Sequence, residues 1–394
     1  MSKLKDVVIV SAKRTPIGSF QGVFSNLSAS KLGALVIQSL IEETNIEPRS
    51  IDEVIMGNVL SAGQGQAPAR QAALGAGLPN SVECLTINKM CGSGLKAVML
   101  ASQAIQAGDA EIIIAGGMEN MTQAPYILPK ARSGYRLGNG EFIDSIIKDG
   151  LWDAYNDKHM GTCAEMCVSE NKFLREDLDN FAKISYERAI AAQDNNLFTE
   201  EIVPVTVSYR KGNDQIIYKD EEPNRVNFEK MALLKPIFDK NGSITAANAS
   251  KINDGASALM LMTRDKANLL GLTPLVSISA QASAAHEPEW FTTAPLKAIS
   301  TVLKKVNLNS KDIDLWEINE AFGPVVMAAI DEYKLDHDKV NVHGGAIAIG
   351  HPIGCSGARI LTTLIHAMIK REAHTGLATL CIGGGEASAI VVRR

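Results

Sequence analysis

Three segments, far apart in the chain, carry residues that could do covalent chemistry. In Asn88-Lys89-Met90-Cys91-Gly92-Ser93-Gly94 a thiol stands in a glycine-rich turn running into the helical stretch Leu95-Lys96-Ala97-Val98-Met99-Leu100. A helix N-terminus favours negative charge, so this setting predicts a Cys91 thiolate forming below the free-cysteine value of about 8.5. The glycines leave the sulfur open to close approach. Taken alone, the motif also fits a buried cysteine at a strand-to-helix packing point, a common place for a free thiol. In Asn341 to Gly357, His351 stands between glycine turns just ahead of a helix, where it is placed like a base. By contrast His366, within Leu364-Ile365-His366-Ala367-Met368, lies on an apolar helix face and reads as a core residue. The third segment, Leu377 to Gly385, is an apolar strand ending in Cys381 and followed by three glycines, whose exposed N–H groups could bind an oxyanion.

The elements that must hold these groups follow an α/β pattern. Short β-branched runs such as Val7 to Val10 alternate with amphipathic helices, the first capped near Ser28 with Leu32, Leu35, Val36 and Leu40 on one face. Ile112-Ile113-Ile114 is apolar at every position, as expected of a sheet covered on both sides. The chain also repeats itself. Ile51 to Asn58 matches Asp312 to Asn319 in pattern, and Ser93-Gly94, helix and Gly116-Gly117 match Ser356-Gly357, helix and Gly383-Gly384 at a nearly constant offset. A duplicated α/β unit explains this and sets the Cys91 and Cys355-Ser356-Gly357 turns at equivalent helix starts facing a shared interface. Between the halves, from Thr122 to Asn241, the pattern loosens and turns at Ser133-Gly134, Gly138-Asn139-Gly140 and Gly212-Asn213-Asp214 mark a long inserted loop region.

Composition excludes several classes. The 394 residues are 46% hydrophobic and 21% charged with a net charge of -5, which provides no basic field for nucleic acid or an anionic membrane. No apolar run reaches membrane-spanning length and no signal or transit segment precedes Asp6, so a cytoplasmic enzyme is expected. The six cysteines, at 84, 91, 163, 167, 355 and 381, form no Cys-x-x-Cys pair, and reduced thiols with no bound metal are expected. Cys163 and Cys167, one helical turn apart, read as packing residues rather than half a zinc site.

Taken together, Cys91 in Cys-Gly-Ser-Gly, Asn319-Glu320-Ala321-Phe322, Gly350-His351-Pro352 and Cys381-Ile382-Gly383-Gly384-Gly385 resemble the thiolase family. The resemblance runs from Val7 to Val391 and takes in Gly116 to Met121 and Asn248 to Ala256. It implies a duplicated thiolase fold: two mixed sheets in a five-layer αβαβα sandwich, with residues 1–121 and 242–270 as the N-terminal half, 122–241 as an inserted substrate-binding loop domain, and 271–394 as the C-terminal half. It implies an acyltransferase in which Cys91 takes the acetyl group, His351 removes its proton, and Cys381 exchanges the α-proton of the second acetyl-CoA. Asn319, through a water, with His351 would stabilise the enolate, and the N–H groups of Cys91 and Gly383 the acyl intermediate. Leu151, His159, Met160, Phe238, Ala246, Ser250, Ala321 and Phe322 would line a coenzyme A tunnel, and Phe291 would close the acyl pocket to favour short chains. The expected reaction is the reversible condensation of two acetyl-CoA to acetoacetyl-CoA, with a broader-chain 3-ketoacyl-CoA thiolase as the alternative. The substrates are coenzyme A thioesters, no permanent cofactor is implied, and the resemblance implies a homodimer or homotetramer, with the Pro125 to Gly140 loop as a candidate contact.

Three residues depart from the family pattern. Asn224 stands where an arginine is common, which puts the nucleotide contact of Arg225 in question. Glu386 follows the triple glycine and, if unpaired, would raise the Cys381 pKa by like-charge repulsion. His343 replaces a frequent asparagine, and the sequence offers no account of it. A ketoacyl-synthase-type condensing enzyme shares the fold and a nucleophilic cysteine but lacks the second cysteine at Cys381. A non-catalytic lipid carrier would be expected to have lost one of Cys91, His351 or Cys381.

Overall fold

The computed structural model describes residues 5–208 and 212–394. The N-terminal half supplies strands β1 (Val7–Arg14), β2 (Glu53–Gly57), β3 (Glu83–Ile87), β4 (Ile112–Asn120) and β5 (Asn253–Thr263). The C-terminal half supplies β6 (Val276–Ala285), β7 (Leu315–Ile318), β8 (Thr375–Ile382) and β9 (Glu386–Arg393). Their order is β3-β2-β4-β5-β1 in one half and β6-β9-β8-β7 in the other. The internal repeat is visible in this order: β2 runs parallel to β4 as β7 does to β8, and an antiparallel strand follows in each case. The two sheets expected from the resemblance meet edge to edge through a short β1–β6 pairing, Val8 with Ser277 and Ile9 with Val276, which makes one continuous hydrogen-bonded path.

Strand side chains alternate between faces, and here both faces are buried. On β1, Val7 and Ile9 enter the core between the sheets while Val8 and Val10 enter an outer core. On β4, Ile113 faces inward and Ile112 and Ile114 outward. The inner core is filled by two helices, α3 (Ser93–Ala107) and α9 (Ser356–Lys370), through Leu95, Val98, Leu361 and Ile365. One outer face is covered by α1 (Ala29–Thr44) and α2 (Pro68–Gly75), with Leu32, Val36 and Leu40 of α1 buried and the Ser28 hydroxyl accepting from the Lys31 N–H as the cap. The other is covered by α6 (Ala294–Val306) and α7 (Gly323–Tyr333), through Ile299, Val302 and Val326. The expected layering is thus present.

The described part of residues 122–241 is more ordered than its sequence pattern implied. It contains α4 (Met160–Asn171) and the 20-residue α5 (Arg175–Asp194). Their apolar stripes are short and rich in alanine and cysteine, so the periodic signal was weak, yet Cys163, Ala164, Cys167, Leu178, Ala182 and Tyr186 are buried. A single turn, α8 (Ala346–Ile349), rests on α5 and leads directly into the His351 loop.

The inner helices meet at their first turns through glycine. A Cβ on Gly94 would lie 2.7 Å from the Ala358 nitrogen, and one on Gly357 would lie 2.3 Å from the Leu95 nitrogen. Nearby, Cβ atoms on Gly57 and Gly117 would come within 2.8 and 2.0 Å of the Gly354 carbonyl oxygen. These obstacles are backbone atoms and cannot rotate away. Gly357→Ala should therefore behave as an overpacked core variant, losing about 1–3 kcal/mol of stability in denaturant titration. A titration curve matching the wild type would show that the two helix starts are not in this contact.

Candidate functional site

Each reactive group sits at the end of an element that ends because the sequence stops it there. Cys91 lies between β3 and α3 in a turn whose Met90 has φ of +48°, an uncommon conformation for a side-chain-bearing residue that costs on the order of 1–3 kcal/mol. Two local bonds hold that turn: the Asn88 carboxamide oxygen accepts from the Met90 N–H at 3.0 Å, and the Ser93 hydroxyl accepts from the Lys89 N–H at 2.8 Å. Cys381 is fully buried near the end of β8, and a Cβ on Gly92, next to Cys91, would lie 2.3 Å from Ile382 Cδ1. The two cysteine segments are in direct contact, and the Cys91 charge acts on Cys381.

His351 follows Gly350, whose φ is +115° and whose Cβ would strike the Asn253 side chain at 2.5 Å. Glycine lets the chain pass there, and the Asn253 oxygen accepts from the His351 N–H at 3.0 Å. The ring orientation also fixes its tautomer. Ser356 donates its single hydroxyl hydrogen to the Pro352 carbonyl at 2.9 Å, so its oxygen accepts from His351 Nδ1–H at 2.6 Å. Nε2 then carries a free lone pair, is buried, and has no protein partner. Burial, assisted by the Arg359 charge, lowers the His351 pKa to about 3. The imidazole is neutral, a base whose Nε2 is free to take a proton.

The thiols are neutral too. Burial pushes Cys91 up to about 11, against the opposing pull of the Gly383 N–H and its own N–H, both directed at the sulfur. This reverses the expectation that the helix start would lower it. The helix begins at Ser93, and removal from water outweighs the few N–H dipoles available. Cys381 rises well above the usual thiol value through burial and then the Cys91 charge. Glu386 plays no part in that, because it is paired with Lys89 at 2.6 Å.

Asn319 follows β7, its N–H donating to the Thr379 carbonyl at 3.0 Å. Its carboxamide is fully buried, and neither polar atom has a protein partner among the described residues. A buried amide of this kind is suited to holding a small polar group. Its neighbour Glu320 accepts from Ser185, Asn341 and the Ile347 N–H, tying β7 to the α8 turn. Glu119 does the equivalent in the other half. It accepts from Asn58, Val59, Leu60 and Gly354, with burial raising it to about 7 against those donors.

A cavity of about 600 Å³ opens onto Cys91, His351 and Gly383. It is lined by all ten residues expected to bind substrate: Leu151, His159, Met160, Arg225, Phe238, Ala246, Ser250, Phe291, Ala321 and Phe322. Asn319 and Cys381 do not line it; Cys381 packs in one cluster with the lining residues Phe291 and Phe322. Aromatic rings build one side. His159 stacks on Phe238 at 4.7 Å, Phe238 meets Phe322 edge-on at 6.0 Å, and Phe322 meets Phe291 at 6.2 Å. Gly161 makes room for the Phe238 ring, and its N–H donates to His159 Nδ1 at 3.0 Å, which leaves the Nε2–H as the other ring donor. Phe291 is 3% exposed and shares a core cluster with Met160, Phe322 and Cys381. Arg225 is 57% exposed at the cavity edge, with only long contacts of 3.8 and 3.9 Å to Glu221 and Glu222.

Several lining residues were not anticipated, among them Phe20, Met121, Glu222, Ile237, Lys251 and Ile353. Lys251 alone carried a signal, as a charge inside the otherwise small and amide-rich Asn248–Ala256 segment. Ser356, which sets the His351 tautomer, was legible only as part of a turn. His343 is buried against Phe198 at 5.8 Å, its pKa lowered to about 4 by burial, and it does not line the cavity. His366 is buried with Nε2 bonded to the Ala12 carbonyl, Cys163 and Cys167 pack on α4, and no metal cluster occurs among the described residues.

A thiol, a neutral imidazole and two N–H groups directed at the thiol, opening onto a largely apolar cavity, suit an enzyme of acyl transfer on a duplicated α/β fold. The thiolase N-terminal domain profile matches residues 7–265 and the thiolase C-terminal domain profile residues 272–394. An acetyl-CoA acetyltransferase of Cupriavidus necator is 51% identical over 393 residues, covering 99% of this chain and all of that one. A mitochondrial acetyl-CoA acetyltransferase of Homo sapiens is 50% identical over 392 residues, 99% of this chain and 91% of the other. The crystal structure of the Bacillus anthracis acetyl-CoA acetyltransferase superimposes with a TM-score of 0.97 at 40% identity over the whole of both chains. That of the Ascaris suum Acat5 thiolase in complex with coenzyme A gives 0.94 at 43% identity, covering 99% and 100%. The chain belongs to the thiolase family.

The neutral resting site sets a pH dependence. A thiol held up by burial yields little thiolate until pH approaches its raised value. Alkylation of Cys91 by iodoacetamide should therefore keep accelerating past the ordinary cysteine range of about 8.5 towards about 11. A plateau near neutral pH would mean a standing thiolate–imidazolium pair and would contradict this reading.

Proposed function

We propose that this chain is an acetyl-CoA C-acetyltransferase, joining two acetyl-CoA into acetoacetyl-CoA and free CoA, and reversing the reaction with CoA as acceptor. The observation that carries the reading is that Cys91 and His351 line one largely apolar cavity, with the His351 Nε2 buried and without a protein partner.

In the first half-reaction Nε2 takes the Cys91 proton as the sulfur attacks the thioester carbonyl. The oxyanion accepts from the N–H groups of Cys91 and Gly383, and as the carbon–sulfur bond to CoA breaks His351 returns the proton to the departing sulfur, so that CoA leaves as the thiol. The low basicity of the buried imidazole speeds that return, because the protonated ring is a strong acid in this setting. In the second half-reaction Cys381, acting as its thiolate, removes the α-proton of a new acetyl-CoA and passes it to the Cys91 sulfur that is expelled in the next step. Asn319, through a held water, and His351 stabilise the enolate, which attacks acetyl-Cys91 and expels its sulfur. Thiolysis runs these steps backwards, with the Cys381 thiol as proton donor. Its high pKa keeps it protonated until it is needed.

The pantetheine arm would lie among Leu151, His159, Met160, Phe238, Ala246, Ser250, Ala321 and Phe322, with the nucleotide end near the exposed Arg225. Phe291, packed beside Cys381, supports short acyl chains over the broader-chain alternative. No permanent cofactor is required by these steps. We further infer a cytoplasmic enzyme of lipid metabolism working as a homodimer or homotetramer. Among the described residues no helix is long and apolar enough to cross a membrane. Tyr126, Leu128 and Leu137 expose large apolar side chains on the Pro125 to Gly140 segment proposed to contact another copy.

CoA-dependent cleavage should be fast for acetoacetyl-CoA and at least about tenfold slower for a longer 3-ketoacyl-CoA, the order of discrimination expected of an apolar pocket. Equal rates, measured against Cys91→Ala as the blank, would rule out the short-chain assignment. Asn319→Ala should slow turnover by about 100-fold, the contribution of one oxyanion-stabilising donor. An unchanged rate would remove Asn319 from the mechanism.

A further inference from the structure

One charged side chain in the cavity wall takes no part in the chemistry above. Lys251 follows Ser250 and lines the same cavity as Cys91 and His351. It donates to the Ile347 carbonyl at 3.1 Å and to the Tyr186 hydroxyl, and lies 5.0 Å from the Tyr186 ring centroid. Tyr186 is a 2%-exposed residue of α5, while Ile347 belongs to the α8 turn that runs into Gly350 and His351. The Ser250–Ile252 wall, α5 and the His351 turn therefore share one cation. Charged groups facing it are Glu222, which favours the ammonium, and Arg225, which opposes it; burial is the larger influence and lowers its pKa to about 8. The Tyr186 hydroxyl is held protonated by burial, then by Glu222 and Glu320, so it meets the ammonium as a neutral acceptor.

A hydrophobic side chain could fill this space without the desolvation cost of a charge. What it could not supply is a directed bond to the Ile347 carbonyl. We propose that Lys251 is a positioning residue whose ammonium ties the wall of the thioester cavity to the turn bearing His351, so that substrate binding and placement of the base depend on the same group. The proposal rests on the reading of the cavity as a CoA-thioester site. Without the tie, the Ser250 wall loosens and KM rises, while the His351 turn shifts and kcat falls.

The test compares full-length wild type, Lys251→Met and Lys251→Ala, with acetoacetyl-CoA and CoA as substrates and iodoacetamide alkylation of Cys91 read in the same samples. Both variants should lose about tenfold or more in kcat/KM, the scale of one hydrogen bond to a charged group, through both a raised KM and a lowered kcat. In Lys251→Ala, ammonium or methylammonium should restore turnover and the alkylation rate, whereas tetramethylammonium, which cannot donate a hydrogen bond, should not. Lys251→Met, whose side chain fills the site, should gain nothing from any of them. Wild-type kcat and KM in Lys251→Met would overturn the proposal. So would a loss in Lys251→Ala that no small cation relieves while its thermal unfolding matches wild type. Alkylation separates the two levels of inference: a wild type inactive on acetoacetyl-CoA would sink the assigned reaction, while the cation response of Cys91 in Lys251→Ala would still decide the role of the lysine.

Discussion

The site depends on how closely two helix starts can approach. Gly94 and Gly357 each leave out a side chain where the other helix's backbone passes, and Gly57 and Gly117 do the same around the Gly354 carbonyl. Protein interiors are packed too densely to absorb even one methyl group at such a crossing. Because the chain is a duplication, equivalent glycines recur at equivalent places. The closeness of the two halves is therefore built in twice: Cys91 from one half and His351 and Gly383 from the other reach a single cavity, and Cys381 packs in the cluster of its lining residues Phe291 and Phe322.

That closeness dries the centre, and dryness sets the chemistry. A buried ionisable group favours its neutral form. Cys91, Cys381 and His351 are consequently held as two thiols and an uncharged imidazole, rather than as a preformed ion pair. Charge appears only while bonds are changing, and the groups that receive it are fixed beforehand: the N–H groups at Cys91 and Gly383, the Nε2 of His351 and the unpaired carboxamide of Asn319. Donors set in place before the reaction need no rearrangement during it. Glu119, which reaches across to the Gly354 N–H of the other half, and Glu320, which gathers Ser185, Asn341 and the Ile347 N–H, hold that frame still.

Much of this was legible in the sequence because the informative residues are those whose chemistry has no substitute. Glycines at a backbone crossing, a cysteine before a helix and a histidine between glycine turns each leave a local mark, and the repeated order of those marks revealed the duplication. Residues that work through geometry left little trace. Ser356 orients His351 only because its hydroxyl hydrogen is already committed to Pro352. Phe20 and Ile237 reach the cavity through folding that no local pattern encodes. Helices α4 and α5 were hidden by stripes of small residues with weak periodicity. The expected lowering of the Cys91 pKa failed for a related reason, since a helix start can be read from a few residues whereas burial is a property of the whole fold. The worry over Glu386 dissolved once its partner, Lys89, nearly 300 positions away, came into contact.

The account requires the acyl group to pass through one sulfur, delivered there by one imidazole. Brief incubation with radiolabelled acetyl-CoA, acid quench and peptide mapping measures this directly. Label should be found on the peptide containing Cys91, released by added CoA, and form far more slowly in His351→Ala. Label on Cys381 instead, or a rate of labelling indifferent to the loss of His351, would contradict the arrangement described.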